Sequence, residues 1–331
     1  KTANGCGCMQ KGSRKQMVTI DLITGFLGSG KTTFIKKYAA WLIAQGKNIC
    51  ILENDFGAVN IDMLMLQDIM GEQCDLEMVS GGCDKDCHRR RFKTKLIAMG
   101  MSGYDHVIVE PSGIFDVNEF FDALRDEPLC QWYRIGSVIA VADAGLEDLP
   151  PHADYVLASE IADAGCVVLS KTDGVSEAQK EHTLQHINRA LTQIRCKRQL
   201  TKADVVDCSW DALTDEDWQR IGSAGYHAEA WQRLEQDAED LFSTVTVLNH
   251  QLGREQLEKA AAAIFTDPAC GQAYRIKGFL QENGQWTELN ATAKNCTVTT
   301  AERGQEVVIV IGENLKKEAI AAHLGNQGIL A

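Results

Sequence analysis

The sequence predicts an α/β protein in two parts, a mostly parallel sheet covered by helices and, after it, a smaller α+β domain. Between residues 17 and 225, short apolar runs alternate with amphipathic stretches of helical length. Strands that are apolar on both faces are typical of a parallel sheet buried between two layers of helices. After residue 243 several strands follow one another with few helices between them, and Asn283-Gly284 suits the tight turn of a β-hairpin.

Runs of aliphatic and β-branched residues define the strands, and stretches with helical periodicity define the helices. In the first part we predict strands at 17–23, 48–52, 75–79, 106–109, 137–141 and 166–169. Helices are predicted at 32–45, 61–70, 89–101, 117–125, 153–163 and 176–194. In the second part we predict strands at 244–249, 272–280, 285–289, 296–299 and 306–311, with helices at 254–264 and 315–322.

Changes in composition set the domain boundaries. Residues 1–16 are polar and lack periodicity, so we expect a flexible leader there. Residues 17–225 form the first domain. The polar stretch at its end is predicted to be helical, and its last part, 226–242, is predicted to be a helical linker. Residues 243–331 form the C-terminal domain.

Charge and hydropathy exclude several classes of partner. Acidic residues outnumber basic ones by 46 to 33, which gives a net charge of −13. So acidic a chain repels phosphate backbones, and we expect no nucleic-acid partner. No apolar run reaches the roughly 18 residues of a membrane span, and the first residues lack the apolar core of a signal peptide. We therefore expect a cytoplasmic protein, without membrane contact, whose 12 cysteines are reduced.

A phosphate-binding loop lies between the first predicted strand and helix, where residues 25–32 read Gly-Phe-Leu-Gly-Ser-Gly-Lys-Thr. Glycines let such a loop turn its amides inward, and the helix N-terminus adds partial positive charge. Lys31 can bridge the β- and γ-phosphates, and Thr32 can bind Mg²⁺. The alternative is an ordinary glycine-rich turn. We predict a nucleoside triphosphate site made of Gly25, Gly28, Ser29, Gly30, Lys31, Thr32 and Thr33.

Two carboxylates that follow predicted strands are candidates for the magnesium and switch chemistry. Asp55 and Glu110 each come just after an apolar strand, at the sheet edge where such folds bind ligands. Mg²⁺ prefers oxygen ligands, and Gly113 would let an amide approach the γ-phosphate. The alternative is that each carboxylate only caps a turn, and which of the two contacts the ion directly stays open. We assign Lys31, Thr32, Asp55 and Glu110 to hydrolysis.

Selection of the base is predicted at Ser170-Lys171-Thr172-Asp173, directly after the strand at 166–169. The carboxylate of Asp173 can accept hydrogen bonds from guanine N1 and N2, which adenine does not offer in that form. The stem of Lys171 can lie over the purine ring. The alternative is a solvated loop. Together with Ser170, these residues predict GTP as the nucleotide.

These motifs together resemble the CobW-type GTPases, which are relatives of the nickel-insertion GTPases of urease and hydrogenase. Residues 25–33 are similar to the phosphate loop of that family, 53–62 to its first switch, 110–113 to its Walker-B segment and 170–173 to its guanine motif, with Ser170 where Asn is commoner. Residues 274–279 and 308–312 resemble its C-terminal domain.

The resemblance implies a protein that binds GTP and Mg²⁺ and delivers a metal ion, or a metal-dependent cofactor, to a client. The expected partner is a client metalloprotein or a cofactor-assembly protein, and we also consider a GTP-dependent homodimer. No residue stands out as the base that activates water, so we expect slow hydrolysis. Two alternatives are a nucleotide-gated adaptor without its own metal site, and a small-molecule kinase, against which the guanine motif argues.

The family usually carries Cys-x-Cys-Cys between its switches, and this chain departs from that pattern. It has Cys83-x-x-x-Cys87-His88 instead. On a helix the two thiols would share one face, and two thiolates with an imidazole suit Zn²⁺ or a similar transition metal. Cys74, nine residues upstream, is a candidate for completing the set. The alternative is a pair of partly buried thiols beside a nucleotide switch.

A second pair of ligand residues lies outside these motifs. His182 and His186 are four residues apart on a polar predicted helix. Because no third ligand accompanies them, we expect both on the surface.

Overall fold

Two β-sheets organise the chain in the computed structural model, which describes residues 17–55, 66–80, 85–111, 117–232, 243–301, 304–325 and 329–330. The first sheet has seven strands, ordered β3-β2-β4-β1-β5-β6-β7. They are β1 (Val18–Thr24), β2 (Ile49–Asp55), β3 (Cys74–Ser80), β4 (His106–Pro111), β5 (Tyr133–Asp143), β6 (Cys166–Ser170) and β7 (Val205–Val206). Every pair of neighbours is parallel, so the predicted parallel sheet is confirmed.

Both faces of the central strands are buried, which explains why these strands read as unbroken apolar runs. In β4, Val107 and Val109 join one apolar cluster, whereas Ile108 joins the cluster on the other face. In β1, Leu22 and Ile23 divide in the same way.

Helices cover the two faces of this sheet. They are α1 (Lys31–Ala44), α2 (Lys85–Ser102), α3 (Val117–Arg125), α4 (Leu129–Trp132), α5 (Pro151–Ala162), α6 (Glu177–Gln193) and α7 (Asp215–Gly222). Of the helix predicted over 61–70, the described part consists of Leu66, which is helical, and the 3₁₀ turn Gln67–Ile69; residues 61–65 lie outside the described residues.

A buried carboxylate joins several of these elements to the central strand. Asp21 of β1 has no exposed surface. Its Oδ2 accepts a hydrogen bond from Tyr38 Oη of α1 at 2.6 Å and lies 2.6 Å from His106 Nε2 of β4, while its Oδ1 accepts one from the Ser137 amide of β5 at 2.7 Å. Burial, and then the charge of Asp21, raise the pKa of Tyr38 well above its usual value.

The expectation that His186 lies on the surface is wrong, whereas His182 is exposed. His186 is buried where α6 packs on α5, and its Nε2 lies 2.6 Å from Oδ1 of Asp154. The buried polar partner on the neighbouring helix explains why a histidine can occupy this position.

The second sheet is antiparallel, with the order β11-β10-β9-β12-β8-β13. Its strands are β8 (Ser243–Leu248), β9 (Gln272–Glu282), β10 (Gln285–Ala291), β11 (Cys296–Ala301), β12 (Val307–Glu313) and β13 (Ile329–Leu330). Helices α8 (Arg254–Thr266) and α9 (Lys317–His323) pack on it around an apolar cluster of their own. The β9–β10 hairpin turns at Asn283 and Gly284, both with positive φ, as predicted.

The segment between the two sheets differs from the prediction. Residues 226–232 contain no helix, so the prediction of a helical linker over 226–242 is wrong for this part, and 233–242 lie outside the described residues. Of the helices in the described ranges, none combines the length and the apolar character that crossing a membrane requires.

Candidate nucleotide and metal site

The phosphate loop is the turn between β1 and α1. Gly25 and Gly30, at its two ends, have φ angles of 139° and 97°, which L side chains rarely adopt. A Cβ on Gly25 would also overlap the carbonyl oxygen of Val141 in β5. Glycine is therefore required where the chain leaves the sheet, and it lets the loop fold tightly over the N-terminus of α1.

Lys31 and Thr32 lie in the first turn of α1, and both are buried. The Lys31 Nζ donates a hydrogen bond to the Gly25 carbonyl oxygen at 2.7 Å, so this side chain folds back along the loop. The Thr32 hydroxyl donates to Glu110 Oε1 at 3.2 Å. Thr33 is exposed. The structure thus brings together the predicted lysine, threonine and Walker-B carboxylate.

Two buried hydroxyls fit an oxyanion ligand at this loop. Among the described residues, Ser29 Oγ and Ser170 Oγ have no hydrogen-bond partner. Ser170 lies directly beside the loop, because its Cβ is 3.4 Å from the point where a Cβ on Gly30 would stand. Buried polar groups are normally satisfied, so two unsatisfied hydroxyls at one loop suit phosphate oxygens.

Of the two predicted carboxylates, the structure places Glu110 in full and Asp55 by its backbone. Glu110 is buried at the end of β4. Asp55 is the last residue of β2, the neighbouring strand. The register pairs Glu53 of β2 with Glu110, so Asp55 lies two residues beyond this pair, at the same edge of the sheet. Gly113 lies outside the described residues.

A buried glutamate that the sequence reading missed supports the start of the loop. Glu160 of α5 accepts a hydrogen bond from the Gly25 amide through Oε2 at 3.1 Å, and its carbonyl oxygen accepts one from the Thr24 hydroxyl at 2.7 Å. One feature of the sequence could have identified Glu160: it is a charged residue among the apolar residues that form the buried face of α5.

The predicted guanine motif lies at the end of β6. Lys171 has a φ angle of 54°, and its Nζ is 2.6 Å from Asp143 Oδ2 at the end of β5. Asp173 is exposed on the following turn. Trp210, another residue that sequence reasoning missed, contacts the same loop 3.5 Å from the position of a Cβ on Gly30.

The C-terminal domain also contributes to this site. The Arg275 side chain of β9 lies against the loop, with its Cδ and Nε both 3.4 Å from the point where a Cβ on Gly28 would stand. Its Nε donates a hydrogen bond to Asn290 Oδ1 of β10 at 3.1 Å. An ion pair between Lys294 and Glu147 also links the two domains. The phosphate loop is therefore lined by a cation that is distant in sequence.

The proposed cysteine ligands are only partly described. Cys83 lies outside the described residues, while Cys87 and His88 lie in the first turn of α2. His88 is buried, and its Nε2 lies 2.7 Å from Oδ1 of Asn54 near the end of β2. A metal ion bound by this imidazole in the same position would have to use Nδ1.

Cys74 cannot complete this set of ligands. It is the first residue of β3, whereas the Cys83 segment follows the last residue, Ser80. The strand has seven residues, and the six steps between its first and last Cα atoms place its two ends about 20 Å apart. The suggestion that Cys74 joins Cys83 and Cys87 is therefore wrong.

Comparisons with known proteins agree with this geometry. Residues 19–202 match the family described as "CobW/HypB/UreG, nucleotide-binding domain", and 241–327 match "Cobalamin synthesis protein cobW C-terminal domain". The "Zinc chaperone YjiA" of Escherichia coli (strain K12) is 29% identical over 175 residues, which is 50% of this chain and 52% of that protein.

Two other curated relatives have related descriptions. The "Zinc-regulated GTPase metalloprotein activator 1" of Schizosaccharomyces pombe is 23% identical over 60% of this chain and 47% of that protein. The "Zinc chaperone CobW" of Sinorhizobium sp is 30% identical over 37% of this chain and 36% of that protein. The chain thus spans about half the length, or less, of these curated relatives. By the match that covers more than half of its residues, the chain belongs to the CobW/HypB/UreG family of nucleotide-binding proteins.

Proposed function

We propose that this chain binds GTP and Mg²⁺, hydrolyses GTP slowly, and uses that cycle to deliver Zn²⁺ or a similar metal ion to a client protein. The observation that carries this proposal is the phosphate loop, where Thr32 is hydrogen-bonded to Glu110 beside the buried Lys31. The names of the relatives, zinc chaperones and a zinc-regulated GTPase activator, supply the metal.

The residues of the loop fit GTP in stated roles. Lys31 would exchange its hydrogen bond to the Gly25 carbonyl for the β- and γ-phosphate oxygens. Thr32 would hold Mg²⁺ together with Glu110 or Asp55, and the ion would offset phosphate charge. Asp173 would accept from guanine N1 and N2. Lys171 would cover the purine, held by Asp143.

A direct contact offers a route from the nucleotide to the cysteines. Asn54 is next to Asp55 at the end of β2, and its side chain contacts His88 beside Cys87 on α2. If the γ-phosphate repositions the segment after β2, this contact would move the first turn of α2 with it. The metal affinity of Cys83, Cys87 and His88 would then differ between the GTP and GDP states.

The guanine assignment predicts a change of nucleotide preference in Asp173→Asn. We expect wild-type protein to hydrolyse GTP and not ATP, and the variant to lose about 10- to 100-fold in GTP affinity, because two hydrogen bonds to a charged acceptor are replaced. The amide offers one donor and one acceptor, which suit the ring N–H and 2-oxo group of xanthine. Titration with GTP, ATP and xanthosine triphosphate measures this.

Rescue by xanthosine triphosphate is the internal control, since a misfolded variant would bind none of the three nucleotides. Equal use of GTP and ATP by the wild-type protein would contradict the assignment of Asp173.

The metal function predicts zinc binding that depends on Cys83 and Cys87. In an equilibrium titration of the full chain, we expect Cys83→Ser/Cys87→Ser to weaken the affinity of one Zn²⁺ site by more than about tenfold. Even residues that only hydrogen-bond to metal ligands cause a loss of about this size when they are replaced, and direct ligands should cause a larger one. We also expect the affinity of that site to differ between a non-hydrolysable GTP analogue and GDP.

The matched control is Cys130→Ser/Cys208→Ser, which removes two exposed thiols far from these residues in the sequence. If zinc binding is unchanged by the first double substitution, the chain has no such site, and the nucleotide-gated adaptor becomes the better function.

A further inference from the structure

We propose that Asp267, Cys270 and His323 form a second binding site for Zn²⁺ or a similar divalent transition metal, located on the C-terminal domain and separate from Cys83 and Cys87. The three potential ligand atoms, one from each side chain, all lie within 4.8 Å of one another. Among the residues that the structure describes, no other group of three or more His, Cys, Asp or Glu side chains places its ligand atoms this close together.

Two short elements bring the three residues together. Asp267 follows the end of α8 and caps the 3₁₀ turn Pro268–Cys270, where its Oδ1 accepts a hydrogen bond from the Ala269 amide at 2.9 Å. Cys270 ends this turn and belongs to the apolar cluster of the domain. His323 lies in the last turn of α9, and its Nε2 is 2.7 Å from Asp267 Oδ2.

The backbone holds these elements in a fixed relation. The Lys316 amide, just before α9, donates to the Cys270 carbonyl oxygen at 3.0 Å. Helix α9 is therefore tied to the turn formed by residues 267–270 at both of its ends, by Lys316 before its first residue and by His323, its last residue. A site on two elements that are fixed in this way needs little reorganisation to bind an ion, which favours affinity.

The donor set suits a particular class of ion. One thiolate, one imidazole and one carboxylate match the ligands of Zn²⁺ and Co²⁺, whereas Mg²⁺ and Ca²⁺ prefer oxygen ligands alone. Two negative ligands and a neutral imidazole balance the charge of a divalent ion. Three protein ligands leave the fourth position of a tetrahedral ion open for water or another ligand, as in catalytic zinc sites.

Binding requires two small changes at the site. Burial raises the pKa of the Cys270 thiol, so the S–H bond must break and its proton must pass to solvent as the metal–sulfur bond forms. The His323 and Asp267 atoms must separate from 2.7 Å to about 3.4 Å, the spacing that metal–ligand bonds of about 2.1 Å impose. Both side chains are about one-third exposed, so they have room to turn and the ion has a path of entry.

The test uses Co²⁺ as the probe, because a cobalt–thiolate bond produces a charge-transfer absorption band. The background is the full chain with four cysteines replaced by serine: Cys83 and Cys87, the ligands proposed above, and Cys6 and Cys8, two thiols that are close together near the start of the sequence. In this protein we expect one Co²⁺ per chain with a thiolate band, displaced by Zn²⁺. Adding Cys270→Ser should abolish the band, and His323→Gln should weaken binding by more than about tenfold.

Cys296→Ser and His182→Gln are matched controls, since each removes an exposed side chain of the same type. They should leave cobalt binding unchanged. If Cys270→Ser fails to fold, as judged by circular dichroism, the partly exposed His323→Gln and Asp267→Asn decide the question. Absence of the band in the background protein, or a band that forms with unchanged cobalt affinity in these variants, overturns the proposal and leaves Asp267 and His323 as an ordinary hydrogen-bonded pair.

Discussion

Replacing Lys31 by alanine is expected to weaken GTP binding about 100-fold or more and to abolish measurable hydrolysis. The side chain is buried beside the loop, and its Nζ is already directed at the Gly25 carbonyl, within the turn that would surround the phosphates. Hydrogen bonds to charged groups contribute about 1.5–3 kcal/mol each, and every 1.4 kcal/mol is a factor of ten in affinity. Loss of contacts to two phosphates therefore gives the expected effect, measured by titration with a fluorescent GTP analogue.

Lys36→Ala on the same helix is the matched control. Its ammonium group pairs with Asp68 at the surface, where an ion pair contributes little, so GTP affinity should stay unchanged. If the two variants bind GTP equally well, Lys31 does not contact phosphate.

Asp21→Ala is expected to lower the free energy of unfolding of the first domain by about 3–5 kcal/mol, the loss typical of breaking a buried charged network. The substitution removes the acceptor of Tyr38 Oη and the Ser137 amide, and the partner of His106. Each buried group left unpaired costs about 1–3 kcal/mol. Urea unfolding followed by circular dichroism and tryptophan fluorescence measures the change.

The control is Asp148→Ala, whose carboxylate is largely exposed and lies 3.7 Å from Arg189, for which we expect a change below about 0.5 kcal/mol. A similar loss in both variants would show that the buried position of Asp21 is unimportant.

The same network gives a dependence on pH. Because burial and Asp21 raise the pKa of Tyr38 in the folded protein, the unfolded chain loses this proton first. The contribution of the protonated Tyr38 to the free energy of unfolding is therefore complete below about pH 10, the ordinary tyrosine pKa, and declines as the pH rises above that value.

Features encoded by local sequence were predicted well. The phosphate loop needs a strand, a glycine-rich turn and a helix in immediate succession, and all three are visible in residues 17–45. The parallel sheet follows from strands that are apolar on both faces. Asn283-Gly284 specifies its hairpin because two adjacent residues supply the required positive φ angles.

Features that depend on contacts between distant residues could not be predicted. Glu160 supports Gly25 across 135 positions of sequence, and no local pattern pairs them. Asp21 is buried only because α1, β4 and β5 all supply partners. Cys74 was linked to Cys83 by sequence proximity, but an extended strand separates residues that are close in the chain.

Arg275 links the C-terminal domain to the phosphate loop, so a ligand that moved this side chain would couple the two domains energetically. A nucleotide that displaces this guanidinium changes the free energy of the contact between the domains. By reciprocity, a protein that bound the C-terminal domain and shifted β9 would change the affinity for the nucleotide by the factor by which the nucleotide changes the affinity for that protein. A fragment ending at residue 225 lacks this cation, so its phosphate loop has a different lining from that of the full chain.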